Sequence, residues 1–353
     1  MAFTLTDLPR DLPFDEVIDV RAPAEFAEDH VPGAINLPVL SDAERARVGT
    51  IYVREDRFLA RKVGAALVAR NAADHIDGPL ADRDGGWRPL VMCWRGGQRS
   101  GSFASILSQI GWRVEVLDGG YRSYRRLVKA RLYDEVLPHR LVVIDGGTGS
   151  GKTVLLHHLR AAGGQVIDLE GLAAHRGSNF GGLAEAQPAQ KMFESRLAAA
   201  LAVLDPARPV FVEAESNAIG RVLIPPAVWT AMRAANVIRI DAPPAARARH
   251  LVETYPDLTA DAELLARRIN ALRPYHARER IEAWHGLAQG RDFATLAEEL
   301  VREHYDPRYR TVARDALTAP LALKGLSEAE FRSAAARILE IAERGTGRRP
   351  PRA

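Results

Sequence analysis

Apolar runs alternate with amphipathic stretches along most of the chain, and this alternation predicts strands separated by helices. In the first part of the chain, residues 17–20 and the segment PLVMCW are apolar enough to form buried strands. Residues 41–72 carry apolar side chains three and four positions apart, which predicts helical structure. The segments SFASILSQIGW and RVEVLDGG predict a further helix and a further strand. Strands that alternate with helices are typical of a parallel α/β sheet.

The same pattern starts again after a proline-containing stretch at residues 135–140. The segment LVVIDGGTGSGKTVLLHHLRAAG predicts a strand, a glycine-rich loop and a helix. Further strands are expected at 165–170, 209–216 and 236–243, and the pattern after residue 245 is helical. The sequence therefore predicts an α/β protein with a parallel-sheet domain at 1–136, a second α/β domain at 137–310 and a helical C-terminal extension at 311–353.

The composition is that of an ordinary globular protein. Of the 353 residues, 47% are hydrophobic and 26% are charged, which suffices for two buried cores. No apolar run approaches the roughly 20 residues needed to cross a bilayer, and the first residues lack the pattern of a signal peptide. One cysteine cannot form an intrachain disulfide, so a cytoplasmic location is expected. The net charge is only +3, so only local basic clusters would indicate a nucleic-acid partner.

The only cysteine, Cys93, lies between a predicted strand and a predicted helix. Gly96 and Gly97 allow backbone N–H groups to turn inward as a nest for an anion, and Arg95 and Arg99 add positive charge. Such surroundings lower the pKa of a thiol and favour a reactive thiolate. A buried structural cysteine is the alternative, and it is the commoner role of a single cysteine. The arginines and paired glycines favour the reactive interpretation, because neither serves an apolar core.

A second loop, GGTGSGKT, fits the pattern G-x-x-x-x-G-K-[ST] between a strand and a helix, which is the context that a phosphate-binding loop requires. Lys152 would reach the outer phosphate, and Thr153 could bind Mg²⁺. The loop predicts an oligophosphate ligand without specifying a nucleoside triphosphate. The diphosphate-binding residues expected from this pattern are Gly146, Gly147, Thr148, Gly149, Ser150, Gly151, Lys152 and Thr153.

Polar residues that follow the next strands are candidates for substrate binding. The segment PVFVEAES carries Glu213 and Glu215 where phosphate-loop proteins usually have an aspartate, and these two glutamates would position a metal ion or water, or pair with neighbouring arginines. The segment DLEGLAAHRGSNFGG contributes His175, Arg176 and Ser178, for which ordinary surface charge is the alternative. The segment IRIDAPPAARARH resembles the lid region of small-molecule kinases, and Arg247 and Arg249 would close over phosphates.

A basic cluster lies near the predicted domain boundary, in YRSYRRLVKAR. If this segment is helical, its basic side chains fall on one face, which suits a nucleic-acid backbone, and Tyr121 and Tyr124 would suit unstacked bases. A solvated helix face is the alternative. The candidate nucleic-acid-binding residues are Arg122, Arg125, Arg126 and Lys129.

Three segments resemble the rhodanese (sulfurtransferase) fold: IDVRAPAEFAEDHVPGAINLP, the loop CWRGGQRS and the closing segment VLDGGYRSY. This resemblance implies catalytic roles for Cys93, Arg95 and Arg99. Sulfur-transferring rhodaneses usually have four residues between the cysteine and the arginine, whereas this chain has five. The longer loop resembles that of rhodanese-fold phosphatases and would admit a tetrahedral, phosphate-like group. The expected loop residues for that group are Gly96, Gly97, Gln98 and Ser100.

A rhodanese-like domain followed by a P-loop NTPase-like domain, with CWRGGQRS, GGTGSGKT, DLEGLAAHRGSNFG and FVEAES in this order, resembles the tRNA 2-selenouridine synthase family. The resemblance implies a transferase whose substrate is the wobble 2-thiouridine of a tRNA anticodon loop. Geranyl diphosphate would first alkylate the sulfur, and selenium from selenophosphate would then replace the S-geranyl group. It further implies that Cys93 takes the selenium from selenophosphate. No covalently bound cofactor and no metal-ligating residues are predicted, with Mg²⁺ left open as a co-ligand.

Two other functions are compatible with the same motifs. One is an NTP-dependent tRNA sulfurtransferase, in which ATP activates the acceptor and Cys93 delivers sulfur. The other is a non-enzymatic P-loop switch in which the rhodanese module serves as a docking surface. The longer cysteine loop opposes the first, and the presence of Cys93, Arg95 and Arg99 together opposes the second.

Overall fold

A computed structural model describes residues 2–177, 180–182, 186–309 and 320–344. The strands in these residues are β1 (Ala2–Phe3), β2 (Glu16–Asp19), β3 (Ile35–Asn36), β4 (Pro89–Met92), β5 (Glu115–Leu117), β6 (Leu141–Asp145), β7 (Gln165–Ile167), β8 (Val210–Glu213), β9 (Ala218–Ile219), β10 (Val222–Leu223), β11 (Asn236–Asp241) and β12 (Leu321–Ala322). They form two five-stranded sheets and a small antiparallel pair, β9 and β10. Every strand pair within the two large sheets is parallel, as the alternating sequence pattern predicts.

The α-helices of the described residues are α1 (Pro23–Glu28), α2 (Asp42–Arg54), α3 (Arg57–Asp77), α4 (Gln98–Ile110), α5 (Gly120–Lys129), α6 (Lys152–Ala161), α7 (Leu169–Leu172), α8 (Gln190–Ala202), α9 (Pro226–Ala234), α10 (Pro244–Thr254), α11 (Pro256–Ala260), α12 (Ala262–Asn270), α13 (Arg278–Gln289), α14 (Phe293–Glu299) and α15 (Glu328–Arg344). Two π-helical turns, Ala130–Asp134 and Leu300–Tyr305, extend α5 and α14. None of the helices in the described ranges is both long enough and apolar enough to cross a membrane.

The chain folds as two compact units, and the first consists of Met1–Val136 together with Pro188–Val203. Its sheet has the order β1-β5-β4-β2-β3, so that β4 lies in the middle. All four residues of β4 are buried because the strand has neighbours on both sides and helices over it. Ile18 and Val91 from the sheet and Phe103 from α4 are fully buried in the core of this unit.

The second unit consists of Leu137–Gln187 and Leu204–Ala353. Its sheet has the order β12-β11-β6-β8-β7, and the phosphate loop connects the central strand β6 to α6. The helices from α11 to α14 form a separate apolar cluster around the fully buried Trp284. The first unit therefore carries the cysteine loop, and the second carries the phosphate loop.

Two features differ from the division expected from the sequence. Helix α8, predicted as part of the domain at 137–310, belongs to the first unit, where it packs against α5 and the π-helical turn that follows it. The described part of the expected C-terminal extension belongs to the second unit, because β12 pairs with β11 and α15 packs on α6. The apolar positions Phe331, Ala335 and Ile338 recur on one face of α15 and complete the core of that unit.

Candidate functional site

Cys93 lies directly after β4, at the carboxyl end of a central strand. It is 3% exposed, and its apolar surroundings are those expected for a structural cysteine. Its sulfur nevertheless accepts a hydrogen bond from the backbone N–H of Gly97 at 3.3 Å and another from the Ser100 hydroxyl at 3.1 Å. The side chain is therefore buried in the core and is also held as a hydrogen-bond acceptor, which is the role of a thiolate.

The pKa of Cys93 follows from this arrangement. Burial raises the pKa, because it disfavours the charged thiolate. Hydrogen bonds from the Ser100 hydroxyl and from the backbone N–H groups of Ser100, Arg95 and Gly97 outweigh burial, so that the pKa lies below its ordinary value. The loop amides thus act on the sulfur as the sequence predicted.

Close backbone packing explains two of the glycines. Gly96 has a φ of +67°, and a Cβ there would lie 2.6 Å from the carbonyl oxygen of Leu117. Gly120 has a φ of +58°, and a Cβ there would lie 2.3 Å from the carbonyl oxygen of Cys93. The N–H of Tyr121 donates to that same carbonyl at 2.8 Å. The segment VLDGGYRSY therefore packs against the cysteine loop, and only glycine fits at positions 96 and 120.

Arg99 does not supply a free positive charge to Cys93, as the sequence had suggested. Its Nη1 donates to Glu25 Oε2 at 2.8 Å, and Arg45 pairs with the same carboxylate at 3.0 Å. Burial raises the pKa of Glu25, but Arg99 and then Arg45 lower it by more, so that the net pKa lies below its usual range. Glu25, which sequence analysis did not single out, thus fixes the Arg99 guanidinium.

The exposed part of the loop consists of Trp94, Arg95, Gly97 and Gln98, and α4 begins at Gln98. No ion pair forms at Arg95 within the described residues, so Arg95 carries the free positive charge of this loop. The Trp94 ring stacks on Tyr121, with 5.3 Å between ring centroids. No role for Trp94 was predicted from the sequence, although its place directly after Cys93 was a usable signal.

The predicted basic face on α5 is only partly exposed. Arg122, Arg126 and Lys129 are exposed at positions i, i+4 and i+7. Arg125 instead pairs with the buried Glu194 of α8 and lies 3.8 Å from Asp29. The assignment of Arg125 to this exposed face was therefore wrong, because its charge is used inside the first unit.

Tyr121 and Tyr124 are not available to unstacked bases, contrary to the expectation from the sequence. They are 3% and 1% exposed. The Tyr121 hydroxyl donates to Asp29 Oδ2 at 2.6 Å, and the Arg21 guanidinium lies 4.0 Å from the centre of its ring. Both rings lie on the buried face of α5, opposite the exposed basic residues. Trp94, beside the cysteine, is an aromatic residue that does reach the surface.

The phosphate loop adopts the conformation that its glycines allow. Gly149 and Gly151 have φ values of +80° and +75°. The Lys152 ammonium donates to the Gly146 carbonyl at 3.0 Å, and the Gly146 N–H donates to the Tyr309 hydroxyl at 3.2 Å. Gly146 and Lys152, two of the residues expected to hold a diphosphate, are thus hydrogen-bonded to each other, and Gly146 is also hydrogen-bonded to Tyr309.

Arg247 lies at this loop, as the kinase-like segment predicted, whereas Arg249 does not. Arg247 Nε donates to the Thr148 carbonyl at 2.9 Å, and its two terminal nitrogens pair with Asp306 at 2.7 and 3.0 Å. A Cβ on Gly147 would lie 2.5 Å from Arg247 Nη2, so the guanidinium lies directly against the loop. Arg249 is exposed elsewhere on α10, near Glu330.

Four carboxylates gather beside the loop helix: Asp168, Glu170, Glu213 and Glu215. The Thr153 hydroxyl donates to Glu170 Oε2 at 2.8 Å, and the Glu170 N–H donates to Glu213 Oε1 at 2.7 Å. Burial, followed by the charges of Asp168 and Glu170, raises the pKa of Glu213 well above its usual range. Burial and Glu170 raise the pKa of Glu215 to about 8, against the lowering effect of Lys152.

Several buried oxygens near the loop meet no hydrogen-bond partner in the described structure: Asp145 Oδ2, Ser150 Oγ and Glu213 Oε2. Buried polar groups are normally paired, so unpaired ones indicate an absent ligand or water. No group of three or more His, Cys, Asp or Glu side chains in the described ranges is arranged to hold a metal ion alone.

The predicted substrate-binding segment approaches the acidic cluster through its backbone. A Cβ on Gly177 would lie within 2.9 Å of oxygens of Glu170 and Glu215. Arg176 turns away, pairing with Asp257 at 3.0 Å and lying 4.4 Å from the Tyr255 ring centre. Burial and the charge of Arg268 lower the pKa of His175. Ser178 lies outside the described residues.

Both units of the chain resemble known protein families. Residues 139–283 match the family model described as the AAA domain of tRNA 2-selenouridine synthase, and residues 4–127 match the rhodanese-like domain. A tRNA 2-selenouridine synthase of Nitrosomonas europaea is 38% identical over 244 residues, which cover 68% of this chain and 63% of that protein. One from Bdellovibrio bacteriovorus is 36% identical over 252 residues, 68% of this chain and 64% of that protein.

A third relative, the tRNA 2-selenouridine synthase of Psychromonas ingrahamii, is 33% identical over 251 residues. Those residues cover 71% of this chain and 67% of the Psychromonas protein. The chain spans less than two thirds of the length of the Nitrosomonas europaea and Bdellovibrio proteins. Both units of the structure thus have a matching family description, and the matches occur in the order in which the two loops occur.

Proposed function

The chain belongs to the tRNA 2-selenouridine synthase family, and from this membership we propose that it converts 2-thiouridine in tRNA to 2-selenouridine. The reaction runs in two steps at two anion sites, with geranyl diphosphate at the phosphate loop and selenophosphate at the cysteine loop. The observation that carries the proposal is the Cys93 sulfur, which accepts hydrogen bonds from Gly97 and Ser100 at the floor of a loop whose outer residues are exposed. The proposed location is the cytoplasm.

In the first step, the sulfur of the 2-thiouridine attacks C1 of geranyl diphosphate. A carbon–sulfur bond forms, the bond from C1 to oxygen breaks, its electron pair leaves with diphosphate, and the base loses its N3 proton. The loop from Gly146 to Thr153 supports this step, because backbone N–H groups at a helix N-terminus stabilise a leaving oligophosphate. Lys152, now bonded to the Gly146 carbonyl at 3.0 Å, would turn to the diphosphate.

The residues beside Lys152 fit a magnesium ion. The Thr153 hydroxyl and Glu170 are adjacent oxygen donors, and neighbouring Glu215 has a pKa raised to about 8 by burial and the charge of Glu170, which a cation would relieve. Thr153 and Glu170 would hold the ion, which would neutralise charge on the leaving group.

In the second step, the Cys93 thiolate attacks selenophosphate. Attack at selenium would leave the bonding pair on phosphorus and release phosphite, so the expected transfer of selenium to Cys93 does not balance with phosphate as the product. Attack at phosphorus does: an S–P bond forms, the Se–P bond breaks, and its electron pair leaves with hydrogen selenide. Water then cleaves the S–P bond, which yields phosphate and restores the thiol.

The selenide completes the exchange on the tRNA. It attacks C2 of the S-geranylated base, a carbon–selenium bond forms, and the bond from C2 to sulfur breaks. The electron pair leaves with the geranylthiolate, which takes a proton from water, while the selenide proton goes to N3. Alkylation thus serves a chemical purpose, because a thiolate leaves more readily than a thiocarbonyl sulfur. The tetrahedral phosphoryl group suits the five-residue spacing between Cys93 and Arg99.

The tRNA would lie over the exposed basic residues of α5 and over Trp94. Arg122, Arg126 and Lys129 are exposed on one helix face, which suits a phosphate backbone. Trp94 is 37% exposed and adjoins Cys93 in the chain, so its ring is suited to stack on a base turned out of the anticodon loop.

The test is a nucleoside analysis of a thiolated anticodon stem-loop after incubation with the full chain and both donors. We expect 2-selenouridine from the wild type and S-geranylated base from Cys93→Ala. Lys152→Ala should leave the thiolated RNA unchanged, yet should convert RNA that already carries the S-geranyl group.

The phosphorus product should be phosphate by ³¹P NMR, and phosphite would refute attack at phosphorus. Wild-type protein that leaves the thiolated RNA unmodified with both donors would contradict the proposed function. Transfer of sulfur from thiosulfate to Cys93, seen as a persulfide by mass spectrometry, would favour a sulfurtransferase.

A further inference from the structure

An apolar cleft lies beside the phosphate loop in the second unit. Its empty volume is about 540 Å³ when the solvent space at its open mouth is counted with it. Its walls come from α10, α11, α12 and α14 together with the π-helical turn at Leu300–Tyr305, and Phe180 closes one side. Apart from threonine and tyrosine hydroxyls, the lining side chains are apolar.

The cleft is continuous with the phosphate loop. Thr148, a loop residue, is part of the cleft lining. Leu251 lines the cleft as well, and a Cβ on Gly149 would lie 2.8 Å from its Cγ. Arg247, one turn earlier on α10, holds the Thr148 carbonyl at 2.9 Å. Helix α10 therefore contacts the phosphate loop through Arg247 and lines the apolar cleft through Leu251.

We infer that this cleft binds the hydrocarbon chain of a prenyl diphosphate whose diphosphate lies in the loop, an inference that rests on the proposed function. The ligand that fits must carry an oligophosphate anion at one end and an apolar chain at the other, because the two parts of the site have these characters. C1 of the chain would lie near Thr148, where the loop and the cleft meet.

A nucleotide fits the cleft less well. A purine or pyrimidine carries several hydrogen-bond donors and acceptors, and their transfer to an apolar lining without partners is unfavourable. Among the described residues, the cleft lining contains no charged, amide or imidazole side chain. A prenyl chain has no such groups, and each buried methylene increases affinity by about fourfold. The lining therefore selects an apolar occupant.

The experiment measures binding of dimethylallyl, geranyl and inorganic diphosphate to the full chain by calorimetry. We expect geranyl diphosphate to bind at least about 100-fold more tightly than dimethylallyl diphosphate, because the five carbons of one further isoprene unit enter the cleft and complete burial of all five would give about 1,000-fold. Ala297 lines the cleft on α14, and Ala297→Phe fills it. This variant should bind geranyl diphosphate about tenfold or more weakly than the wild type and should bind inorganic diphosphate with unchanged affinity.

The matched control is Ala294→Phe, since Ala294 is exposed on the same helix and is not part of the cleft. It should bind all three ligands as the wild type does, and the thermal unfolding of both variants should match the wild type. Equal geranyl diphosphate affinity in Ala297→Phe and Ala294→Phe would overturn this inference while leaving the proposed function intact. Competition by ATP that Ala297→Phe abolishes would assign the cleft to a nucleotide and would also overturn it.

The inference would likewise be overturned if the wild-type protein bound geranyl diphosphate no more tightly than inorganic diphosphate. Wild-type protein that neither binds geranyl diphosphate nor modifies thiolated RNA would refute the proposed function, and this inference with it. Conversion of RNA that already carries the S-geranyl group should be the same in Ala297→Phe as in the wild type, which separates chain binding from the second step.

Discussion

At the scale of single residues, Cys93 is held by groups of its own loop, whereas Arg99 is held by a carboxylate from a distant part of the chain. Cys93 and the glycines of its loop were predictable because their chemistry depends on neighbours along the chain. The pairing of Arg99 with Glu25 was not, because the two residues are 74 positions apart and the segment APAEF gives no sign of which arginine it meets. Long-range ion pairs depend on the packing of elements, which periodicity does not encode.

Glu215 makes the stability of the second unit depend on pH. Its pKa of about 8 in the fold lies above the ordinary 4.5, so the folded state keeps a proton that the unfolded state has lost between these values. The free energy of unfolding therefore falls as pH rises from about 5 to 8, by on the order of 1 kcal/mol per pH unit from this group.

Glu215→Gln stays neutral and should flatten this fall, which thermal denaturation at pH 5, 6.5 and 8 would measure. Glu213 is also raised in pKa, so part of the slope should remain. Glu263→Gln is the control, because Glu263 is 91% exposed. A Glu215→Gln protein with the slope of the wild type would show that Glu215 is ionised in the fold.

At the scale of elements, the strands were predicted well and the partners of the helices were not. β7, β8 and β11 lie within the three segments expected from their apolar runs. α5 was expected to present four cations to solvent, but Arg125 lies on its inner edge, where it meets Glu194. Spacing alone places residues on a face; it does not tell which face a second helix covers.

The exposed cations of α5 should contribute to RNA binding through phosphate contacts. Arg126→Ala is expected to weaken binding of a tRNA anticodon stem-loop and to reduce the slope of log affinity against log salt by about 0.7–0.9. Fluorescence anisotropy at several salt concentrations measures both effects. Arg61→Ala serves as the control, because Arg61 is equally exposed on α3 of the same unit. Identical slopes for the two variants would remove α5 from the RNA surface.

At the scale of the whole molecule, the two units do not correspond to two continuous stretches of sequence. Residues 188–203 return to the first unit, where the fully buried Phe193 and Leu197 and the charged Glu194 lie on α8. Glu194 accepts hydrogen bonds from Arg125 and from the Tyr133 hydroxyl. A composition shift or a linker would have revealed a second domain, but an inserted helix leaves no such sign.

A fragment of residues 1–136 should therefore be much less stable than the same fragment joined to residues 188–203 by a flexible linker. Without α8, the fragment loses the fully buried Phe193 and Leu197. When α8 is present but Glu194 is removed, Arg125 keeps its place without a carboxylate, and removing one partner of a buried pair costs about 3–5 kcal/mol. Urea unfolding followed by circular dichroism compares the two fragments. In the linked fragment, Glu194→Ala should lose most of the gain, and equal midpoints for all three proteins would contradict a stabilising role for the helix.

The insertion of α8 also has a consequence for synthesis on the ribosome. The cysteine-bearing unit stays incomplete after its own sheet has emerged, because its last helix is translated only after β6, the phosphate loop and β7. At roughly 5–20 residues per second, that delay lasts several seconds. During that interval Arg125 and Tyr133 lack Glu194 as their acceptor, so this unit is open to a chaperone that binds nascent chains.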